Sequence, residues 1–519
     1  MAIEAVFSLN KRSDAGLLLN REYLYQFQHT CMKQGDDLFL LIKSLSVSEK
    51  RYFKIFAQRH VIGDKNRYEY LFDLIDKQTI SNAYDEELIK KQLSAKESKN
   101  IAAGKHYLYE LILRSMRNFH ESKSIADQIN NRISDIKFLL DKGLHAKCRQ
   151  LILSTKKDAF SIEHHAAIIE LSYLERRLER LKIDKESSAL FSTISAMENE
   201  AAKHIADEIF FRKLYDENFI LLQEEYTPAN SSRIEHIHDE VIKYKERASS
   251  FNAKALFFII QADDAQLAGK YSEARKFMRK CVALFEENEV IKNEQSQRYI
   301  NLLSNYLNSC FLANEFDDFQ STIEKLKLLQ PRKEEEEILL FRSRYLLELL
   351  YYINMQNWDE AEKLIPDIIT GLTKYKNRLP AVSVIVLYYN MAIALFSVKK
   401  YEKSLAYFNY IIDVTAKNIR KDIQQNAKLF QIVIHYELEN FNLVQTLIYN
   451  FKRSLKKSDR LNEFEKVVLD LFKKLTDTPD KSSKLKLFSV AKDALSPIAV
   501  SQQGAHEIIS WIDTKMIRK

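Results

Sequence analysis

From residue 251 to 451 the chain alternates long segments, apolar at every third or fourth position, with short polar breaks that end in an aromatic residue. The breaks read Ala268-Gly-Lys-Tyr271, Ala313-Asn-Glu-Phe316, Met355-Gln-Asn-Trp358, Val398-Lys-Lys-Tyr401 and Leu438-Glu-Asn-Phe441. Apolar residues at that interval share one face of an α-helix, so each break predicts a turn between two amphipathic helices. The five aromatics lie 45, 42, 43 and 40 residues apart. Seven residues after each stand Met278, Ile323, Ile365, Phe408 and Ile448, and ten after stand Cys281, Leu326, Ile368, Ile411 and Phe451. Together they form one inward stripe on the second helix of each pair. Three after the aromatic come Ala274, Phe319, Ala361, Ser404 and Val444, where the small members allow close helix crossing.

The same reading divides the rest of the chain. Residues 1–31 have weak periodicity and read as a flexible arm, or as sequence upstream of a start at Met32. Residues 32–122 read as an N-terminal helical domain. A short helix opens at Leu38–Ile42, and Ser46-Val-Ser-Glu49 is a capping box. The helix behind it turns Tyr52, Phe53, Phe56 and Ala57 inward and stops at Gly63-Asp64. A third carries Tyr68, Leu71, Phe72 and Ile75, a fourth spans Asp85–Leu93, and a fifth spans Ile101–Ser122 with Tyr107, Leu108, Leu111, Ile112 and Met116 inward. Residues 123–250 read as degraded helical hairpins. Gly143-Leu-His145 imitates the later turns, and His145 precedes Tyr271 by 126 residues, three intervals of 42. That spacing predicts two units between them, broken near Ile183–Ser187 and Thr227–Ser232. Residues 456–519 supply capping helices, the last being Ala505–Ile517 with Ile508, Ile509, Ile512 and Met516 on one face.

Gly269-Lys-Tyr271-Ser-Glu-Ala274 and Asn357-Trp358-Asp-Glu-Ala361 resemble the turn of tetratricopeptide repeats, in a divergent bacterial form. The spacing exceeds the ~34 residues of that repeat and is nearer the ~40–47 of other helical arrays. Phe319 and Val444 also stand where the family places a small residue. The resemblance implies an all-α fold: a right-handed α-solenoid of tetratricopeptide-like hairpins (251–455) preceded by the small N-terminal domain. Stacked pairs would share one core, because a single pair cannot bury its apolar face. Composition agrees: 519 residues exceed the ~250–300 at which one globular core stops growing. Only 8 Gly and 6 Pro leave little material for sheet corners or phosphate-binding loops.

That scarcity also bounds the chemistry. No nucleotide-binding, nucleophile-elbow or metalloprotease motif occurs, and no pair of carboxylates stands alone in an apolar stretch, so no enzyme, cofactor or metal is expected. Glu163-His164-His165 and His236-Ile-His238 read as helical, where neighbouring positions diverge too far to chelate one ion. Glu334–Glu337 fits the acidic first turn of a helix. Cys31, Cys148, Cys281 and Cys310 are scattered, as buried thiols of a reducing cytoplasm are. No apolar run approaches the ~18–20 residues of a membrane span, and the N-terminus has no signal-peptide pattern.

Net charge is +7, of which residues 450–519 hold +6. Nucleic-acid contact is therefore confined to the Lys452–Arg460 cluster, or to Lys105, Arg114 and Arg117 if Asp85–Arg117 acts as a helix-turn-helix. The family resemblance implies a concave surface lined by first helices that holds a protein or peptide. Counting back from the turn aromatics places Asp263, Gln266, Asn301, Asn308, Asn354, Tyr389, Asn426 and Tyr436 there. Asn, Gln and Tyr offer adaptable hydrogen bonds and flat apolar area suited to a peptide backbone. The expected function is a non-catalytic, cytoplasmic scaffold or adaptor. The alternative is a ligand- or peptide-responsive transcriptional regulator whose N-terminal domain contacts DNA, an architecture similar to peptide-responsive bacterial regulators.

Overall fold

A computed structural model describes residues 37–58, 67–78, 84–93, 98–120, 124–181, 187–223, 228–376, 378–414, 419–455, 462–498 and 504–517. The expected arm 1–31, Cys31 and the Gly63-Asp64 stop lie outside these. Among the described residues there are twenty-four α-helices and no strand. The described residues divide into two compact units, one up to Ala206 and one from Asp207 onward.

In the first unit, α1 (Asp37–Ser44), α2 (Val47–Gln58), α3 (Arg67–Lys77), α4 (Glu86–Gln92) and α5 (Ile101–His120) enclose Phe39, Ile42, Phe53, Phe72, Ile75, Leu108 and Ile112. The capping box forms: Ser46 N–H donates to Glu49 at 2.8 Å, and Glu49 N–H donates to Ser46 Oγ at 3.2 Å. Tyr107 departs from expectation. It is 47% exposed and stacks on Tyr68, while Ser115 and Gly104 take the inward positions on α5. A separate core around Ile133, Ile136, Cys148, Ile152 and Leu171 joins α6 (Ile125–Asp141), α7 (His145–Ser161) and α8 (His165–Glu179).

α9 (Ser187–Gln223) is one helix of 37 residues, about 55 Å long, and the division between the units falls within it. It begins 42 residues after His145, in phase with the repeat, and α10 (Pro228–Lys243) begins 41 later. The expected breaks therefore fall at helix ends, although residues 182–186 and 224–227 lie outside the described set. α9 passes without interruption through the position where a turn would separate two helices, because Ala201–Phe211 contains no Gly, Pro or Asn.

The second unit continues with α11 (Phe251–Leu267), α12 (Tyr271–Glu287), the short α13 (Glu289–Glu294), α14 (Ser296–Ala313), α15 (Phe319–Leu328), α16 (Glu334–Asn354), α17 (Trp358–Lys374), α18 (Ala381–Ser397), α19 (Tyr401–Val414), α20 (Lys421–Glu437), α21 (Phe441–Leu455), α22 (Glu463–Asp477), α23 (Lys481–Leu495) and α24 (Ala505–Ile517). α14, α16, α18, α20 and α22 each pack on the next and form one continuous layer, the inner layer of the expected solenoid. α17, α19 and α21 each bridge the inner helix before and the one after, outside that layer. Four turn aromatics open their helices as expected. Phe316 does not: α15 starts three residues later, and Phe316 instead packs on Phe311, Phe319 and Tyr351. All fifteen side chains three, seven and ten residues after the aromatics are buried.

The repetition is sharpest in the turn backbone. Gly143, Gly269, Asn314, Gln356, Lys399 and Glu439 all have left-handed φ between 54° and 73°, each two residues before its turn aromatic or, for Gly143, before His145. In each turn the next residue's N–H reaches back five positions to a carbonyl, as Lys270 to Ala265, Glu315 to Cys310, Asn357 to Tyr352, Lys400 to Leu395 and Asn440 to His435. This is the helix-ending motif that favours glycine, and four of the six residues are not glycine. A side chain in that conformation costs about 1–2 kcal/mol. Lys399 is exposed, so Lys399→Gly is expected to stabilise the unit by about 0.5–1 kcal/mol, the relief being partly offset by glycine's larger unfolded-state entropy. A raised thermal midpoint checks this; a lowered one contradicts it.

Candidate partner-binding groove

Seven of the eight expected groove residues keep some exposure, on α11, α14, α16 and α20. Tyr389 is the exception: it is 4% exposed and packs against Phe408 and Phe430. Every residue of α18 from Tyr389 to Phe396 is buried, so the second half of this helix has no free face to offer a ligand. Tyr436 is half-buried and meets Phe472 and Trp511 edge-on.

Trp511 belongs to α24, which folds back onto the inner layer. Its indole N–H donates to Glu437 at 2.7 Å, its ring stacks on Phe472, and Lys515 pairs with the same Glu437. A Cβ on Gly504, just before α24, would lie 3.0 Å from the Tyr389 hydroxyl. The expected final cap thus lies along the inner faces of α18, α20 and α22, where the chain itself covers Tyr389 and Tyr436.

The other end of the layer is open. α11 and α14 pack only marginally on each other, unlike the later inner helices, and the extra helix α13 lies in the longest repeat interval, between Tyr271 and Phe316. A cavity of about 590 Å³ opens beside them, lined by the later part of α9 (Glu208, Arg212, Tyr215, Asp216, Phe219), α11 (Asn252, Leu256, Ile259), Phe285 of α12 and α14 (Arg298, Asn301, Leu302, Asn305). Of the expected residues only Asn301 lines it. Asp263 and Gln266 lie further along α11, and Asn308 further along α14; Asn354 and Asn426 stand on α16 and α20. The amide nitrogens of Asn308 and Asn354 are buried without a partner.

Arg298 sits against the apolar wall, its guanidinium 5.5 Å from the Phe285 ring centroid. It donates to Asn252 Oδ1 at 2.8 Å and Gln295 Oε1 at 2.9 Å, and burial lowers its pKa from the usual value. Glu208 is held by Arg212 and accepts a 3.4 Å bond from Asn252. Burial, with Asp263 and Asp216 nearby, pushes the Tyr215 hydroxyl up to about 12. Sequence counting missed Arg298 and Asn305, yet a signal existed: Arg298, Asn301, Asn305 and Asn308 form a polar stripe at offsets of three, seven and ten in an otherwise apolar helix.

Asp263 and Asp264 stand on α11 outside the cavity lining, Asp263 near enough to Tyr215 to act on its hydroxyl. Burial, reinforced by Asp264, pushes Asp263 up to about 8. Burial raises Asp264 to about 6, against His238 at 3.5 Å and a 3.1 Å bond from Asn218. Asp263's folded value is above its unfolded value near 3.9, so the stability it contributes is complete below about pH 4 and is lost as pH rises through about 8. Asp263→Asn is expected to leave stability unchanged at pH 4 and to raise it by about 2 kcal/mol at pH 9, a figure discounted because solvent reaches part of the side chain. Urea unfolding at the two pH values checks this; equal effects at both contradict it.

The residues considered for nucleic acid are dispersed. Lys105 pairs with Glu86 at 2.8 Å and lies over the Tyr84 ring, whereas Arg114 and Arg117 are exposed on α5. α5 packs on α2 and α3 rather than forming a tight pair with α4. Lys452 meets Asp470 at 3.4 Å, and residues 456–460 of its cluster lie outside the described residues.

Glu163-His164-His165 is not helical as expected. Glu163 has φ 50°, and His164 caps α8 by accepting from Ala167 N–H at Nδ1. The helix-ending hydrogen bond from His164 to Ala159 makes this another turn of the repeated type, without a glycine to mark it. Among the described residues no three His, Cys, Asp or Glu side chains converge as metal ligands, and no helix is long and apolar enough to cross a membrane. Cys148, Cys281 and Cys310 are free, buried thiols. Comparison with protein-family models, curated proteins and solved structures finds no match.

Proposed function

We propose that this protein is a non-catalytic scaffold or adaptor whose tetratricopeptide-like solenoid holds a protein or peptide segment along its inner helices. The observation that carries this reading is the open cavity at the α9–α11–α14 end of the inner layer. Its wall combines apolar area with amides and a guanidinium, a mixture suited to a peptide's side chains and backbone. The placement of α24 agrees, since an amphipathic helix already lies on the same layer. Later inner helices are covered by the chain itself, so the partner segment is assigned to the cavity end.

Affinity capture from native lysate tests the reading with wild type, Asn301→Ala/Asn305→Ala and Arg114→Glu/Arg117→Glu, each with and without nuclease. The expected result is a protein that survives nuclease, is lost with the cavity variant and is retained with the α5 variant. Nucleic acid that is lost only with the α5 variant would replace this reading with that of a DNA-contacting regulator.

A further inference from the structure

Arg298 differs from Arg275, Arg247 and Arg420 of its unit. Arg275 donates to Glu315, Asp317 and Asp318, Arg247 to Asp207 at 2.6 Å, and Arg420 to Asp422 at 2.6 Å. Arg298 donates to neutral amide oxygens, and among the described residues it forms no ion pair. A charge left among apolar groups is costly unless paired, and a guanidinium fork matches a carboxylate in a bidentate way. Beside it Asn301 and Asn305 bring amide groups to the cavity wall, and Leu256, Ile259, Leu302, Phe219 and Phe285 supply apolar area.

We propose that this cavity binds a monocarboxylate on an apolar body, with Arg298 gripping the carboxylate and the apolar wall taking the side chain. The C-terminal residue of a peptide ending in an apolar side chain has this chemistry, as does a free N-acylated amino acid. Charge decides between carboxylate and phosphate. The second guanidinium, Arg212, is already paired with Glu208, and Asp216 stands exposed on the lining without a cation partner. The lining sets Arg212 and Arg298 against Glu208 and Asp216, so it is neutral overall with Arg298 left outside an ion pair; a monoanion on Arg298 brings the cavity to −1, whereas a phosphate dianion would bring it to −2. The proposal refines the ligand chemistry of the groove reading, but does not require that the ligand be a protein.

The test uses the full chain and three probes: N-acetyl-L-phenylalanine, its C-terminal amide, and inorganic phosphate, each titrated by calorimetry and by saturation-transfer NMR. The acid is expected to bind saturably and the amide at least tenfold more weakly. Arg298→Gln is expected to lose at least tenfold in affinity for the acid, and Arg298→Lys to retain part of it. Lys276→Gln, on an exposed position of α12, is expected to bind as wild type does. Thermal unfolding of each variant confirms the fold, with Arg298→Lys carrying the comparison if the glutamine variant is unstable. Equal binding of acid and amide, unchanged binding by Arg298→Gln, tighter Arg298-dependent binding of phosphate, or no binding of the acid would each overturn the proposal. A lysate protein captured through Asn301 and Asn305 but indifferent to Arg298→Gln would leave the scaffold reading standing and remove this one.

Discussion

Replacing Arg275 by methionine is expected to destabilise the second unit by about 2–4 kcal/mol. The guanidinium is nearly buried and ties α12 to the turn after α14 through Glu315 at 2.6 Å, Asp317 at 3.0 Å and Asp318 at 2.6 Å. Asp318 also accepts from the Tyr306 hydroxyl, and Glu315 from Ser272 at 2.6 Å, so the turn is fastened from three sides. Methionine fills comparable apolar volume, which confines the loss to the charge network. The estimate stays below the upper end for buried pairs because Asp317 and Glu315 are partly solvated. Burial raises Asp318, but the bonds from Tyr306 and Arg275 outweigh it and leave the carboxyl below its ordinary value. Such a group contributes stability above the unfolded value near 3.9, and the contribution is lost as pH falls through the folded one. The gap between wild type and Arg275→Met should therefore narrow below about pH 4. A constant gap from pH 7 to pH 3 would assign the effect to packing.

Gly371→Ala is expected to destabilise by about 2 kcal/mol, although the same change on an exposed helix stabilises by about 1 kcal/mol. Gly371 lies inside α17 where that helix crosses α16, and a Cβ there would stand 1.9 Å from Cε2 and 2.4 Å from Cζ of Phe341. Phe341 has little room to retreat, being packed on Tyr345 at 5.1 Å and Tyr375 at 5.4 Å. The added methyl must separate the two helices or expel the ring. Pairing it with Phe341→Leu should recover part of the loss, because the two substitutions share one space. A melting temperature that rises on Gly371→Ala alone would contradict this close crossing.

Much of the second unit's helical order was legible because it rests on local patterns. The aromatic turns and the stripe three, seven and ten residues beyond them follow from helical period, and burial respected all fifteen positions. The turn backbone was less legible. Left-handed residues are normally betrayed by glycine, but Gln356, Lys399 and Glu439 hold the same conformation, each followed by the helix-ending hydrogen bond that spans five positions. The long α9 was legible only as an absence: Ala201–Phe211 has no Gly, Pro or Asn to end a helix. Counting back along first helices assumes that each keeps one free face. The second half of α18 has none, which moved Tyr389 into the core. The cavity depends on α9 standing beside α14, a proximity that spacing within one helix cannot express, although the polar stripe from Arg298 to Asn308 was present in the sequence.

The central claim is that the cavity end of the inner layer is the binding surface. Site-specific photo-crosslinking in the native cell tests it most directly, with the probe placed at Asn305 on the cavity wall or at Lys276 on an exposed position of α12. The account predicts a discrete protein adduct from Asn305, none from Lys276, and loss of the Asn305 adduct in the presence of excess unlabelled wild-type protein. Equal adducts from both positions, or adducts from Lys276 alone, would contradict it.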